Sequence, residues 1–164
     1  MKNTYKLIML LLFFTTIFSN CKKELKEIGA VQSKIEGIKG KWELTRIIMV
    51  DTLATVPEPI EITDYFQSFA KMPGITFDIG NNTYTSDVTG IAYDFFGSAG
   101  TWAFDDPQYP KTLTLTASGK APVVFGLLAS IRPIDANLKI QKYKYCDSAM
   151  TDFKYAYQLQ LERR

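Results

Sequence analysis

From Lys41 onward the chain is built of short runs in which apolar and polar residues alternate with a period of two. Ile75, Phe77 and Ile79 alternate with Thr76 and Asp78, and Leu113 and Leu115 with Thr112, Thr114 and Thr116. In the last run, 153–161, the odd positions are Phe153, Tyr155, Tyr157, Leu159 and Leu161, and the even ones are mostly polar. A strand sends successive side chains to opposite faces, so this pattern describes strands with one apolar face. Residues 42–50 are rich in β-formers and read as the first strand. Residues 83–88, 91–96, 101–104 and 138–141 read as further strands. The more continuous apolar run 123–131 predicts a strand covered on both faces. Turn signals separate the runs at Gly80-Asn81-Asn82, Gly97-Ser98-Ala99-Gly100, Asp105-Asp106-Pro107 and Asp135-Ala136-Asn137.

About eight or nine short antiparallel strands must hide their edges, and the two solutions are an up-and-down barrel and a sandwich. One helix interrupts the β pattern. Ile62, Tyr65, Phe66, Phe69 and Met72 fall on one helical face, Thr63 or Asp64 can cap its start, and Pro73-Gly74 stops it. An aromatic stripe of this kind needs cover, which predicts a lid packed on the barrel mouth. The expected fold is all-β: an antiparallel up-and-down barrel of about eight strands with one short helix near the mouth.

The N-terminus is of a different kind. Lys2 and Lys6 precede an uncharged run, Leu7 to Phe18, followed by Ser19-Asn20-Cys21-Lys22-Lys23-Glu24. The run is about twelve residues, against the roughly twenty that a membrane-spanning helix requires, so it reads as a secretory signal. With a cysteine at its end it resembles a bacterial lipoprotein signal. Asn20 and Phe18 depart from the small residue and the leucine usual at those positions. The resemblance implies cleavage before Cys21, a diacylglyceryl group on its sulfur, and a membrane-anchored protein of the bacterial cell envelope, at the outer membrane. The expected organisation is a signal at 1–20, a lipidated N-terminus and tether at 21–39, and a domain at 40–164. Residues 22–39 carry Leu25, Ile28, Ile35 and Ile38 at roughly helical spacing, interrupted by Gly29 and Gly37. A spacer and a helix packed across one end of the domain are both open.

Composition removes several functions. The net charge is +2, with no basic stripe of the kind that binds nucleic acid. The sequence has no histidine, hence none of the commonest general base, nucleophile activator or zinc ligand. No nucleophile elbow, phosphate loop or redox Cys-x-x-Cys occurs. An enzyme is not expected, nor a metal or other cofactor. Asp105 and Asp106 beside Asp94 lack the spacing of a calcium loop and read as solvated loop residues. Asp78 and Asp87 read as turn and surface residues. With Cys21 acylated, Cys146 has no partner in the chain and reads as a small buried residue. The sequence points to no particular protein partner.

Gly40-Lys41-Trp42-Glu43-Leu44, then Ile75-Thr76-Phe77 and Asn82-Thr83-Tyr84, then Gly100-Thr101-Trp102-Ala103-Phe104 and Thr112 to Leu115, occur in the order found in lipocalin-like domains. With Asn137 to Ile140 and Leu161-Glu162-Arg163, the domain resembles that superfamily over about 38–164. The resemblance implies that Trp42 closes the barrel bottom under an arginine near the last strand, for which Arg163 is the candidate. It also implies a binding module. The inward set expected from alternation includes Phe77, Trp102, Phe104, Tyr155 and Tyr157, with Phe66 and Phe69 from the helix. Those seven are the candidate lining of a cavity for a small apolar ligand. The same aromatics can instead fill a small barrel completely, which would make the protein a structural or interaction component of the envelope.

Overall fold

The computed structural model describes residues 33–87, 95–145 and 153–164. The expected signal, Cys21, most of the tether, Asp94 and Cys146 lie outside the described residues.

Among the described residues nine strands run in chain order: β1 Gly40–Asp51, β2 Pro59–Glu61, β3 Gly74–Asp78, β4 Thr83–Ser86, β5 Ala99–Phe104, β6 Thr112–Ala117, β7 Val123–Leu127, β8 Asn137–Tyr145 and β9 Phe153–Arg163. All pairings are antiparallel, from β1 through β3 to β9 in sequence order, and β9 pairs back with β1. The result is a closed eight-stranded up-and-down barrel. The short β2 lies outside that ring. It continues the edge of β1 that β3 occupies lower down, with Ile48 opposite Glu61 and Val50 opposite Pro59. Each barrel strand pairs with a neighbour on both sides, which answers the constraint set by the alternating sequence.

The β1–β9 register fixes the two ends. Trp42 stands opposite Arg163 at one end, and Met49 opposite Tyr157 and Asp51 opposite Tyr155 at the other. A register shift between Leu44 and Arg46 inserts Thr45 as a bulge. The bulge moves the inward set of β1 from even to odd positions, so Trp42, Leu44 and Ile47 are all buried.

From the Trp42 end upward the barrel is solid. Ile75, Tyr84, Leu113, Leu115, Phe125, Leu138, Ile140, Leu159 and Leu161 are buried in one cluster with those β1 residues. Each large side chain so buried contributes about 1.5–3 kcal/mol. Phe77 packs edge-on to Trp102 at 6.0 Å, and Trp102 to Phe104 at 5.4 Å. The Trp102 indole N–H donates to the Asp78 carbonyl at 3.1 Å, and the Tyr84 hydroxyl to the Phe96 carbonyl at 2.5 Å. Among the described residues no buried side-chain polar atom lacks a partner.

Among the described residues two short helices accompany the strands. Helix α1, Lys34–Ile38, is capped by Ser33, whose side chain accepts from Glu36 N. It packs across the Trp42 end: Ile38 is fully buried, and its carbonyl accepts from the Trp42 indole N–H at 2.7 Å. Residues 33–39 fall in the same compact unit as the barrel.

Helix α2, Thr63–Gln67, is much shorter than the sequence stripe suggests. Its N-cap is Ile62, with no side-chain cap. Thr63 uses its hydroxyl elsewhere, accepting from Ile47 N at 3.0 Å and donating to Glu61 at 3.0 Å. After one turn the chain departs, so the expected common face does not exist. Met72 is buried and Phe66 half-buried, while Tyr65 is 64% and Phe69 71% exposed. The run 123–131 also differs from expectation. Val124 on β7 is 54% exposed, so only one face of that strand is covered. The apolar run is continuous because Ile131 belongs to the next loop, where its Cγ2 lies against Gly37 of α1.

Candidate functional site

The closed end is held by one side chain. The Arg163 guanidinium lies 4.4 Å from the centre of the Trp42 ring. Its nitrogens donate to the carbonyls of Gly37 at 2.7 Å, Lys39 at 2.8 Å and Asp135 at 3.3 Å. A carbonyl of α1, that of its C-cap and one from the loop before β8 thus share one cation that stands over the indole. This is a stacked structural joint with no reacting group.

The opposite end is different in kind. There β8 continues past the filled core, and its inward parity runs Leu138, Ile140, Lys142, Lys144. The first two are buried, Lys142 is half-buried and Lys144 is exposed. A cavity of about 400 Å³ opens there, lined by Phe66 of α2, Phe95, Lys142, Tyr143 and Lys144 of β8, and Tyr157 of β9. That is within the range of small-molecule sites, roughly 300–1,000 Å³.

Phe95 is the centre of this end. It lies between β4 and β5, outside any strand, although 91–96 reads as a strand in the sequence. Its ring meets Phe66 at 6.0 Å and Tyr157 at 6.0 Å, both edge-on, and Phe96 at 6.2 Å. Phe96 turns inward against Phe125 at 5.9 Å and is fully buried, so the pair forms the boundary between core and cavity. Lys142 Nζ stands 6.0 Å from the Phe95 ring centre, at the outer range of a cation–π contact. A second cavity of about 250 Å³ lies on the other side of Phe95, lined also by Gly97, Leu115, Ala117, Lys120 and Val123.

Of the seven aromatics expected to line a cavity, Phe66 and Tyr157 do so. Phe77, Trp102 and Phe104 are placed in the solid lower barrel, where they pack on one another. Tyr155 is half-buried at the cavity end of β9 but does not line the cavity. Phe69 lies outside, edge-on to Tyr65 at 5.0 Å in solvent. Sequence reasoning missed Phe95, Lys142, Tyr143 and Lys144. The two lysines had a signal: they continue the apolar parity of β8 as charged residues.

The loop carboxylates serve the backbone. Asp105 accepts from Lys111 N at 2.9 Å and Thr112 N at 3.0 Å, and these bonds hold its carboxyl below the usual aspartate range. Asp106 accepts from Gln108 N at 2.7 Å, Asp78 from Gly80 N at 2.9 Å, and Asp87 from Gly74 N at 3.3 Å. Among the described residues no group of three or more His, Cys, Asp or Glu is placed to hold a metal ion. None of their helices is long and apolar enough to cross a membrane.

No curated protein matches the chain. A family model described as a domain of unknown function matches residues 19–121, which take in the cysteine at 21 and the strands β1 to β6. That is more than half of the sequence, and the chain belongs to this family, DUF5004.

Proposed function

We propose that this protein is a lipid-anchored lipoprotein of the bacterial outer membrane whose lipocalin-like barrel binds a small apolar ligand. The anchor rests on Cys21 at the end of a short apolar signal. The binding role rests on one observation, the aromatic cavity of about 400 Å³ between Phe66, Phe95 and Tyr157 at the end of an otherwise filled barrel. The ligand sits at the mouth of the barrel and not along its axis, because the axis is occupied by side chains. The reading makes the domain a binding module without a catalytic role. A histidine-free sequence favours that, and so does the use of Asp105 and Asp106 as turn ligands for backbone N–H groups.

A second reading has its own support. The lower barrel is packed solid, and Leu53, Val56, Ile60, Tyr65 and Phe69 are exposed on the segments around β2 and α2. An interaction protein of the envelope would use such a surface and leave the cavity empty. Native mass spectrometry of freshly purified protein separates the two. A co-purifying small molecule supports the binding module, and a clean unliganded mass at every charge state supports the interaction protein.

A further inference from the structure

Phe95 is the wall between two cavities. The larger, of about 400 Å³, has Phe66 and Tyr157 in its lining, and the smaller, of about 250 Å³, has Leu115 and Val123; among the described residues Phe95 alone lines both. The backbone that carries this ring is fixed. The Tyr84 hydroxyl donates to the Phe96 carbonyl at 2.5 Å, and the Ser86 hydroxyl donates to the Gly97 carbonyl. Phe96 is fully buried against Phe125. Gly97 has a φ of +72°, and a Cβ there would sit 2.7 Å from the Ala117 Cβ, so the turn behind Phe95 lies tight against β6. The Phe95 ring is buried as well, and three rings hold its orientation: Phe66 and Tyr157 at 6.0 Å and Phe96 at 6.2 Å.

We propose that Phe95 sets the shape of the ligand: the site takes a compact apolar molecule of a few rings and rejects a long rod or chain. This inference rests on the binding reading above and adds which apolar molecules fit. An apolar cavity of about 150 Å³ holds benzene, so the larger cavity alone suits a compact body of a few such rings. A molecule of the same bulk but greater length would have to run from the larger cavity into the smaller one, and Phe95 stands across that path. Swinging the ring aside gives up its packing on Phe66, Tyr157 and Phe96, and the pinned backbone cannot carry it out of the way. Removing the ring, by contrast, joins the two spaces and leaves the fixed turn behind it in place. Phe95 is therefore a specificity-determining residue, whereas Phe66 and Tyr157 supply contact area.

Two neutral fluorescent probes of nearly equal bulk test this: N-phenyl-1-naphthylamine, which is compact, and diphenylhexatriene, which is a rigid rod. Both are titrated into the protein carrying Cys21→Ser, so that no lipid tail competes, and into the same protein with Phe95→Leu or Phe95→Ala. With Phe95 in place the compact probe is expected to bind about tenfold or more tightly than the rod. Phe95→Ala is expected to raise the affinity for the rod about tenfold and to weaken the compact probe, which loses a ring to pack on. Phe95→Leu is expected to fall between, and it carries the test if Phe95→Ala does not fold. A gain counts as binding in the joined cavity where it saturates at one probe per protein. Equal affinity for the two probes with Phe95 in place overturns the inference and leaves the cavity reading intact. So does a rod affinity that neither substitution raises in this saturable way. Binding of neither probe to any of the three proteins overturns both.

Discussion

Arg163 stands over the Trp42 ring at 4.4 Å while its nitrogens reach the carbonyls of Gly37 and Lys39. One residue of the last strand thereby ties the first strand, the preceding helix and the barrel floor together. A lysine keeps the charge but cannot present a planar fork. Arg163→Lys is expected to destabilise the fold by about 1–3 kcal/mol in urea unfolding, from orphaned carbonyls and lost stacking. A double-mutant cycle with Trp42→Phe is expected to show a coupling near 1 kcal/mol. Strict additivity would mean that the stack carries no energy.

Gly100 on β5 stands so close to β6 that a Cβ would sit 2.0 Å from the Thr116 carbonyl oxygen. Backbone on one side of a closed barrel cannot yield without breaking a ladder. Gly100→Ala is expected to cost about 3 kcal/mol or prevent folding. Gly119 is the comparison: its φ is +73°, but nothing lies within 4 Å of its Cβ position. Gly119→Ala carries only the left-handed backbone penalty, about 1–2 kcal/mol. Thermal unfolding of the two variants ranks them, and a Gly100→Ala protein as stable as Gly119→Ala contradicts the close approach.

Stability is expected to depend on pH at both extremes. Burial raises the Tyr84 phenol above its ordinary 10.0, because the ionised form would lose solvent. Its contribution is complete below pH 10.0 and is lost as pH rises past that value toward the raised one. Asp105 is the reverse case. Its lowered carboxyl contributes fully above 3.8, and the contribution is lost as pH falls below that value. Unfolding midpoints followed across pH should show a shallower alkaline limb for Tyr84→Phe and a shallower acid limb for Asp105→Asn. Unchanged limbs would assign the slopes to other groups.

Replacing Cys21 by serine is expected to move the protein from the membrane fraction to the soluble one. Two or three acyl chains hold a protein firmly where a single chain does not, and the substitution removes the site for them. Fractionation followed by immunoblotting checks this, and a Cys21→Ser protein that stays with the membranes contradicts the anchor.

The barrel was legible because its constraint is local and repeated: alternation marks each strand, and closure follows from the need to hide edges. The Thr45 bulge was not legible, since nothing in Leu44-Thr45-Arg46 distinguishes a slip of register from a straight strand. The helical stripe misled for a related reason. Periodicity reports which residues share a face, but cover is a tertiary matter. Phe66 packs edge-on to Phe95, whereas Phe69 is exposed and meets Tyr65 edge-on. The candidate site was half legible. Tyr157 follows from parity, whereas Phe95 lies outside the strands that alternation marks.

The most direct test of the account is saturation binding of the neutral probe N-phenyl-1-naphthylamine to the Cys21→Ser protein and its aromatic variants. The account predicts that Phe66→Ala and Tyr157→Ala each weaken binding about tenfold, the equivalent of roughly 1.4 kcal/mol of aromatic contact. Trp102→Phe, in the filled lower barrel, should leave binding unchanged. Loss of binding in Trp102→Phe with full binding in the two mouth variants would place the site elsewhere, and no saturable binding to any of these proteins would contradict a ligand site in this barrel.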